Sequence, residues 1–244
     1  MMALTEYFIR YLQRRDELGA ADLAILRAIP TETRQFQNGQ TIVAPGPDKS
    51  HSCLVLEGMA GRLHTMPARV PRPVITALYL PGDFMDLHNF VLAEVDDRLV
   101  AFGSARVEFV HHRHLRDLTE NHPHLTRLLW MATAIDAAVH RQWLAAANTL
   151  RSSAHLAHLV CEIYTRQAVV GAASDYRMTL PLLQRELAIL LGYSSIHVNR
   201  AVRDLRDRKL LRWVGTEIEI LDWPELARLA HFSADYLDLE RRRR

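Results

Sequence analysis

The 244-residue chain is predicted to fold as an α+β protein: an N-terminal antiparallel β-roll, a long helix, and a C-terminal winged helix-turn-helix. Three observations predict this order. Short β-type runs broken by Gly and Pro fill residues 31–110. An uninterrupted three-four apolar repeat follows Pro123. Leu182 to Leu210 then reads as two short helices around Gly192, followed by a hairpin pattern.

Composition bounds the alternatives. A chain of this length can bury two modest cores, and 49% hydrophobic with 24% charged residues is ordinary for a globular protein. No apolar run approaches the roughly 20 residues of a membrane span, and no signal-peptide pattern opens the chain, so a cytoplasmic location without a membrane partner is expected. Two isolated cysteines, Cys53 and Cys161, supply neither a disulfide framework nor a metal-ligand cluster. Net charge is only +2, yet seven basic residues face three acidic ones between Arg185 and Arg212. Lys49 and Lys209 are the only lysines, and Arg suits bidentate recognition of phosphate and guanine. The tail Arg241–Arg244 reads as a solvated, disordered end.

Residues 3–28 read as helical, with Leu4, Phe8, Tyr11 and Leu12, then Leu18, Leu23 and Leu26, as apolar positions. Strands are expected at Thr41–Ala44, Cys53–Leu56, Val74–Tyr79 and Leu99–Val110. Turns are expected at Asn38-Gly39, Pro45-Gly46-Pro47, Glu57-Gly58 and Pro81-Gly82-Asp83. Asn121-His-Pro123 opens the long helix to about Leu150. Its stripe of Leu125, Leu128, Ala132, Ile135, Val139, Gln142 and Ala146 resembles a coiled-coil seam, and a homodimer through that seam is expected. Another helix follows Arg151-Ser152-Ser153, burying Leu156, Leu159, Val160, Ile163 and Tyr164. Arg212–Val214 and Glu217–Ile220 form a wing around Gly215-Thr216, and Asp222 caps a last helix. The expected domains are 1–120, 121–150 and 151–244.

Stepping 100° per residue from an N-cap at Ser194 places Val198, Ala201, Val202 and Leu205 against the preceding helix, whose core side is Leu187, Leu190 and Leu191. Ile196, Arg200 and Arg203 point away, flanked by Ser195, Asn199 and His197. An exposed isoleucine beside two arginines suits a DNA major groove, where it meets a thymine methyl while Arg200 bridges guanine O6 and N7. Asn199 can pair with adenine or hold a phosphate, and Arg203 suits a backbone contact. Gln184, opening the first helix, completes the expected DNA-facing set. No Ser/His/Asp order, phosphate-cradling glycine loop or paired carboxylate arrangement marks an enzyme, and no cofactor is expected.

These marks together resemble the Crp/Fnr family of bacterial transcription regulators over nearly the full length. They are Phe36-x-x-Gly39, Gly46, Leu54-Val-Leu56-x-Gly58 and Leu80-Pro-Gly-Asp-Phe84, then Glu186-Leu-Ala-x-x-Leu-Gly192 and Val198-Asn-Arg-Ala201. The resemblance implies a roll of the cyclic-nucleotide-binding (double-stranded β-helix) type, a dimerisation helix, an inverted-repeat operator on double-stranded DNA, and activation through RNA polymerase. It also implies an effector region at Gly82, Asp83, Asp86 and Arg98. The cyclic-AMP-binding members carry Gly-Glu-Leu and Arg-Ser/Thr-Ala triplets where this chain has Asp86-Leu87-His88 and Arg98-Leu99-Val100. Losing the ribose-holding Glu and the phosphate-holding hydroxyl implies a different signal, or none. Ile196 replaces the usual Glu of the recognition helix, which shifts the preferred half-site toward thymine. Two cysteines cannot hold an iron–sulfur centre. His111-His112-x-His114 with His122 and His124 either offers same-side imidazoles to a metal or haem from an extended segment, or caps and solvates the roll–helix junction.

Overall fold

The computed structural model describes residues 2–4, 6–47, 50–67, 69, 72–92, 94–95 and 97–244. β1 (Met2–Ala3) precedes α1 (Glu6–Gln13), which buries Phe8, Ile9, Tyr11 and Leu12. The helical stretch expected over residues 3–28 resolves into two helices. Arg15 turns back over the Tyr11 ring, its guanidinium 3.9 Å from the ring centroid and donating to the Tyr11 carbonyl at 2.8 Å. Asp16 is fully buried, and α2 (Ala20–Ala28) starts anew at Gly19, whose N–H donates to Asp22. Two charged side chains turned inward stop α1, and the first-turn carboxylate of Asp22 restarts the helix.

The roll follows in β2 (Pro30–Phe36), β3 (Thr41–Val43), β4 (Gly46–Pro47), β5 (His51–Thr65), β6 (Pro73–Tyr79), β7 (Glu94–Val95) and β8 (Arg98–His111). All pairings are antiparallel. The main sheet runs β1-β2-β8-β5-β6 with β3 also on β8, and β4 pairs with β7 apart from it. Three of the expected strands coincide with β3, β6 and β8 to within a residue, whereas Cys53–Leu56 is only four residues inside the fifteen-residue β5, and β2 is an addition. Glu57-Gly58 is no chain reversal: β5 continues through it with register shifts against β8. Gly58 has φ +78°, and a Cβ there would sit 2.2 Å from the Ser104 carbonyl, so only glycine lets the bulge close onto β8.

α3 (His112–Asn121) is a second unexpected element, and α4 (Pro123–Thr149) follows it with Pro123 in its first turn. The seam read from the sequence faces this chain's own core: Leu125, Leu128, Ile135, Val139 and Ala146 are buried, most of them against α1 and the roll. The opposite face of α4, shifted by two residues or about 200°, carries Arg127, Trp130, Ala134, Ala137, Arg141, Leu144 and Asn148, most of them exposed. Trp130 and Leu144 are 74% and 67% exposed. The expected seam is therefore corrected: this chain itself covers the stripe of larger aliphatics, which is not free to meet a second copy.

α5 (Ser152–Val170) buries Leu156, Leu159, Val160 and Ile163, as expected, and Tyr164 partly. β9 (Arg177–Thr179), α6 (Gln184–Leu191), α7 (Ser195–Asp207), the hairpin β10 (Leu211–Val214) and β11 (Glu217–Ile220), and α8 (Trp223–Leu229) complete the fold. Asp222 caps α8, accepting from the Glu225 N–H at 3.0 Å. One apolar core runs from the roll (Met59, Leu78, Phe102) through α5 into α6 and α7, joining the roll to the helix-turn-helix region.

Candidate nucleic-acid interface

α6 ends on Gly192 in the left-handed conformation (φ +69°, ψ 27°), where Tyr193 N–H returns to the Ala188 carbonyl at 2.9 Å. This is a left-handed C-cap, which glycine adopts without a Cβ penalty. At the other end of α6 the cap position is Leu183. Its N–H donates to Glu186 at 2.7 Å, so the carboxylate satisfies a donor at the helix start although the cap hydroxyl is missing. Tyr193 ties the turn to α5, its hydroxyl accepting from Ser152 N–H and meeting His155 Nδ1, both at 3.2 Å. Burial, then His158, lowers the His155 pKa to about 4, so that imidazole is neutral at pH 7.

Ser194 caps α7, accepting from His197 N–H at 3.3 Å, and the His197 ring folds back to the same hydroxyl at 3.0 Å. Val198, Ala201 and Leu205 are buried and Val202 half-buried, as the helical spacing requires. Leu187 and Leu191 meet them from α6, while Leu190 is only partly covered. Ile196, Arg200 and Arg203 are all exposed together, with Ser195, Asn199, His197 and Gln184 exposed beside them. Ile196 is 65% exposed. Asp204 faces along the helix instead: a hydrogen bond from Ser153 and the neighbouring Arg208 hold its carboxyl below the usual range. The Arg200 and Arg203 guanidinia form no ion pair among the described residues.

The wing is built as the sequence implies, with Val214 66% exposed at its tip. Arg212 and Arg177 both bind Glu219, at 2.6 and 3.0 Å, so this carboxylate neutralises part of the wing's charge.

The expected effector positions do not converge on one site: Gly82 and Asp83 line a cavity with Arg15, Asp136 and Arg166, and Asp86 and Arg98 lie outside it. Gly82 packs on the backbone of Tyr7, 2.9 Å from where a Cβ would stand. Asp83 accepts from Leu80 N–H at 2.8 Å and from Arg166 at 2.6 Å. Asp86 is buried, its oxygens taken by Cys53 N–H at 2.6 Å and Asn89 Nδ2 at 2.9 Å, and burial raises its pKa to about 6. Arg98 stands exposed at the start of β8, opposite Leu63. One largely buried arginine that sequence reading misses is Arg62, which donates to the Tyr79 hydroxyl, the Met85 carbonyl and Asp97. It lines a cleft of about 300 Å³ between the roll and α4 with His64, His88, Asp97, Asp136 and His140. Burial, then Arg62, lowers the His88 pKa to about 4.

The histidine run is not an extended ligand set. His111 ends β8, where its ring caps α3 by accepting from Arg113 N–H at 3.1 Å. His112 lies within α3, buried against Ser52 at 3.1 Å, and His124 binds Asp22 and Asp16. The helix turns neighbouring imidazoles about 100° apart, and among the described residues no group of three or more His, Cys, Asp or Glu could hold a metal ion. The same side chains join structural elements.

Residues 154–229 match the Crp-like helix-turn-helix domain family. The fold is similar to that of FixK2 from Bradyrhizobium japonicum, at 20% identity over 84% of this chain and 100% of that one, with a TM-score of 0.71. It is similar to a CRP family transcriptional regulator from Thermus thermophilus, at 19% identity over 82% and 97% of the two chains, TM-score 0.59. A CooA mutant from Carboxydothermus hydrogenoformans matches at 13% identity over 88% and 92%, TM-score 0.58. No curated protein sequence matches the chain. Among the described residues no helix is long and apolar enough to cross a membrane. The chain carries a Crp-like helix-turn-helix domain at residues 154–229, set in the fold of the Crp/Fnr-type transcription regulators.

Proposed function

We propose that the protein is a homodimeric, sequence-specific transcription regulator that reads an inverted-repeat operator in double-stranded DNA. The observation that carries this reading is the α7 face: Ile196, Arg200 and Arg203 project together from a helix whose other side is locked into the core. In this reading Arg200 and Ile196 read base edges, while Arg203, Asn199 and Gln184 position the helix on the backbone. Ser194 acts mainly through its cap. The exposed stripe of α4 supplies the twofold contact, with Ala134 and Ala137 allowing close approach between Trp130 and Leu144. Residues 1–120 form the sensor roll, 121–150 the dimer helix and 151–244 the DNA-binding region. Such a regulator works in the cytoplasm, either by contacting RNA polymerase or by occluding it.

The test is selection of a bound duplex from a randomised DNA library, followed by titration with the wild type and Arg200→Ala. An inverted repeat is expected. Loss of one bidentate base contact per half-site should weaken binding about 5- to 150-fold per contact and relax preference at that position. Equal, sequence-blind binding by both proteins would refute the proposal.

A further inference from the structure

Residues 231–244 lie beyond the part of the chain that matches the helix-turn-helix family, and they are not a loose end. Two left-handed residues, His231 (φ 46°) and Asp238 (φ 50°), turn the chain at either side of a short 3-10 turn, Asp235–Leu237. Non-glycine residues adopt that conformation uncommonly, Asp and His more readily than most. The first half grips α5. His158 Nδ1 meets the Ala230 carbonyl at 3.1 Å, and its ring lies edge-on to Phe232 and stacked on Tyr236. The second half grips the sensor region. Leu237 is buried with Phe8 and Leu12, and its carbonyl accepts from Arg15 Nε at 3.1 Å. Arg242 N–H donates to the Arg15 carbonyl at 3.1 Å, and Arg244 N–H to the buried Asp16 carboxylate at 2.9 Å. The Arg244 side chain also reaches the Arg15 carbonyl and Asp238. The disordered tail expected from the arginine run is therefore corrected in part: Arg241 to Arg243 remain exposed, but the buried Asp16 carboxylate draws Arg244 in.

Tyr236 connects this segment to the joint between the two regions. Its hydroxyl donates to Glu162 at 2.7 Å. Glu162, fully buried on α5, also accepts from Trp143 Nε1 of α4 and from Arg166. Arg166 then reaches Asp83 and the Leu78 carbonyl of the roll. Burial alone would lower the Arg166 pKa, but Asp83 and Glu162 raise it well above its ordinary value, which keeps the guanidinium charged. One hydrogen-bonded chain thus runs from the C-terminal segment through α5 and α4 to the roll.

We propose that residues 231–244 act as an intramolecular strap, with Tyr236, Arg244 and Asp16 as positioning residues that hold the DNA-binding region at one angle to the sensor region. The strap touches no DNA-facing residue. It pre-organises the recognition helix by removing the freedom of the α5–α8 unit to swing about α4, and pre-organisation appears as affinity because less is lost on binding. This role rests on the proposed DNA-binding function, while its structural part does not.

The experiment uses the full chain as wild type, Asp16→Asn, Tyr236→Phe and Arg244→Ala. Hydrogen exchange is followed through residues 232–244 and α7, and binding to the library-selected duplex is measured across salt concentration. The strap predicts protected amides at Arg242 and Arg244 in the wild type. It predicts at least about tenfold faster exchange there in Asp16→Asn and Arg244→Ala, with α7 unchanged. Operator affinity should fall about five- to fiftyfold with the salt slope preserved. Tyr236→Phe should weaken binding while residues 241–244 stay protected. Unprotected amides in the wild type would overturn the strap. Unchanged or tighter binding in the variants would overturn its positioning role, and a shallower salt slope in Arg244→Ala would reassign the tail to phosphate contact. Arg244→Ala keeps the test alive if Asp16→Asn does not fold. Wild type that selects no sequence would instead count against the regulator reading, and the exchange result would still stand or fall alone.

Discussion

Replacing Asp86 by Asn should stabilise the protein above pH 6, and the size of the gain follows from its surroundings. Asp86 is 1% exposed, and burial raises its carboxyl from 3.8 to about 6 despite the hydrogen bonds from Cys53 and Asn89. The folded state therefore holds this proton more tightly than the unfolded chain. Its penalty is absent below pH 3.8, grows as pH rises through the window from 3.8 to 6, and is constant above it. Linkage puts that penalty at about 1 kcal/mol at pH 4.5 and about 3 kcal/mol at pH 8. An asparagine keeps an oxygen for the Cys53 N–H. Its new amide would face Asn89, whose Oδ1 is buried without a partner and can be presented by rotating the Asn89 amide. The weaker neutral bond to Cys53 costs about 1 kcal/mol of this gain. Urea unfolding of both proteins by circular dichroism at pH 4.5 and 8 isolates the effect, because every other titrating group cancels in the difference. The variant should gain about 2 kcal/mol relative to wild type between those two pH values. A pH-independent difference, or a variant less stable at pH 8, would refute the reasoning.

Arg203→Ala should reduce the slope of log affinity against log salt by about 1 per protomer without changing which sequence is preferred, as measured by fluorescence anisotropy. Trp130→Glu combined with Leu144→Glu should leave the protein folded but monomeric in sedimentation, with operator affinity down at least about a hundredfold, because both side chains are exposed within the chain. A dimer that survives those charges would place the interface elsewhere. Gly192→Ala should cost about 1–2 kcal/mol in urea unfolding; no atom lies within 4 Å of the added Cβ, so the whole effect is the left-handed backbone.

Local signals explain what could be read directly. The helix-turn-helix, its wing and the last helix rest on contacts within a few residues: a glycine C-cap at 192, a serine cap at 194, an aspartate cap at 222. Hairpin and cap chemistry is written next to where it acts. β2 escapes such reading because Thr31, Glu32, Thr33, Arg34 and Gln35 show no apolar alternation, and pairing with β8, far along the chain, makes the strand. α3 escapes it because Leu115 and Leu118 are its only apolar side chains, too few to set a helical period. The α4 stripe shows a third failure. Periodicity finds the apolar face of the helix but not what covers it, and the larger aliphatics satisfy this chain's own core.

The residues that escape sequence reading share a property: each is a buried charge whose partner is far away in the chain. Arg166 and Asp83 are 83 residues apart, and Asp16 and Arg244 are 228 apart. A lone charged residue reads as surface, and only folding reveals the pairing that makes its burial tolerable. These pairs gather where the roll, α4, α5 and the C-terminal segment meet, and that placement has a physical consequence. An apolar joint tolerates small slides, because dispersion contacts are non-directional and many packings lie close in energy. A buried charged pair tolerates few, because displacement by a water's width leaves a desolvated charge unpartnered at a cost of about 3–5 kcal/mol. A joint built on Arg166, Glu162 and Asp83 therefore favours discrete arrangements over graded ones. In the proposed function, the angle at which α7 meets DNA is then either held or lost.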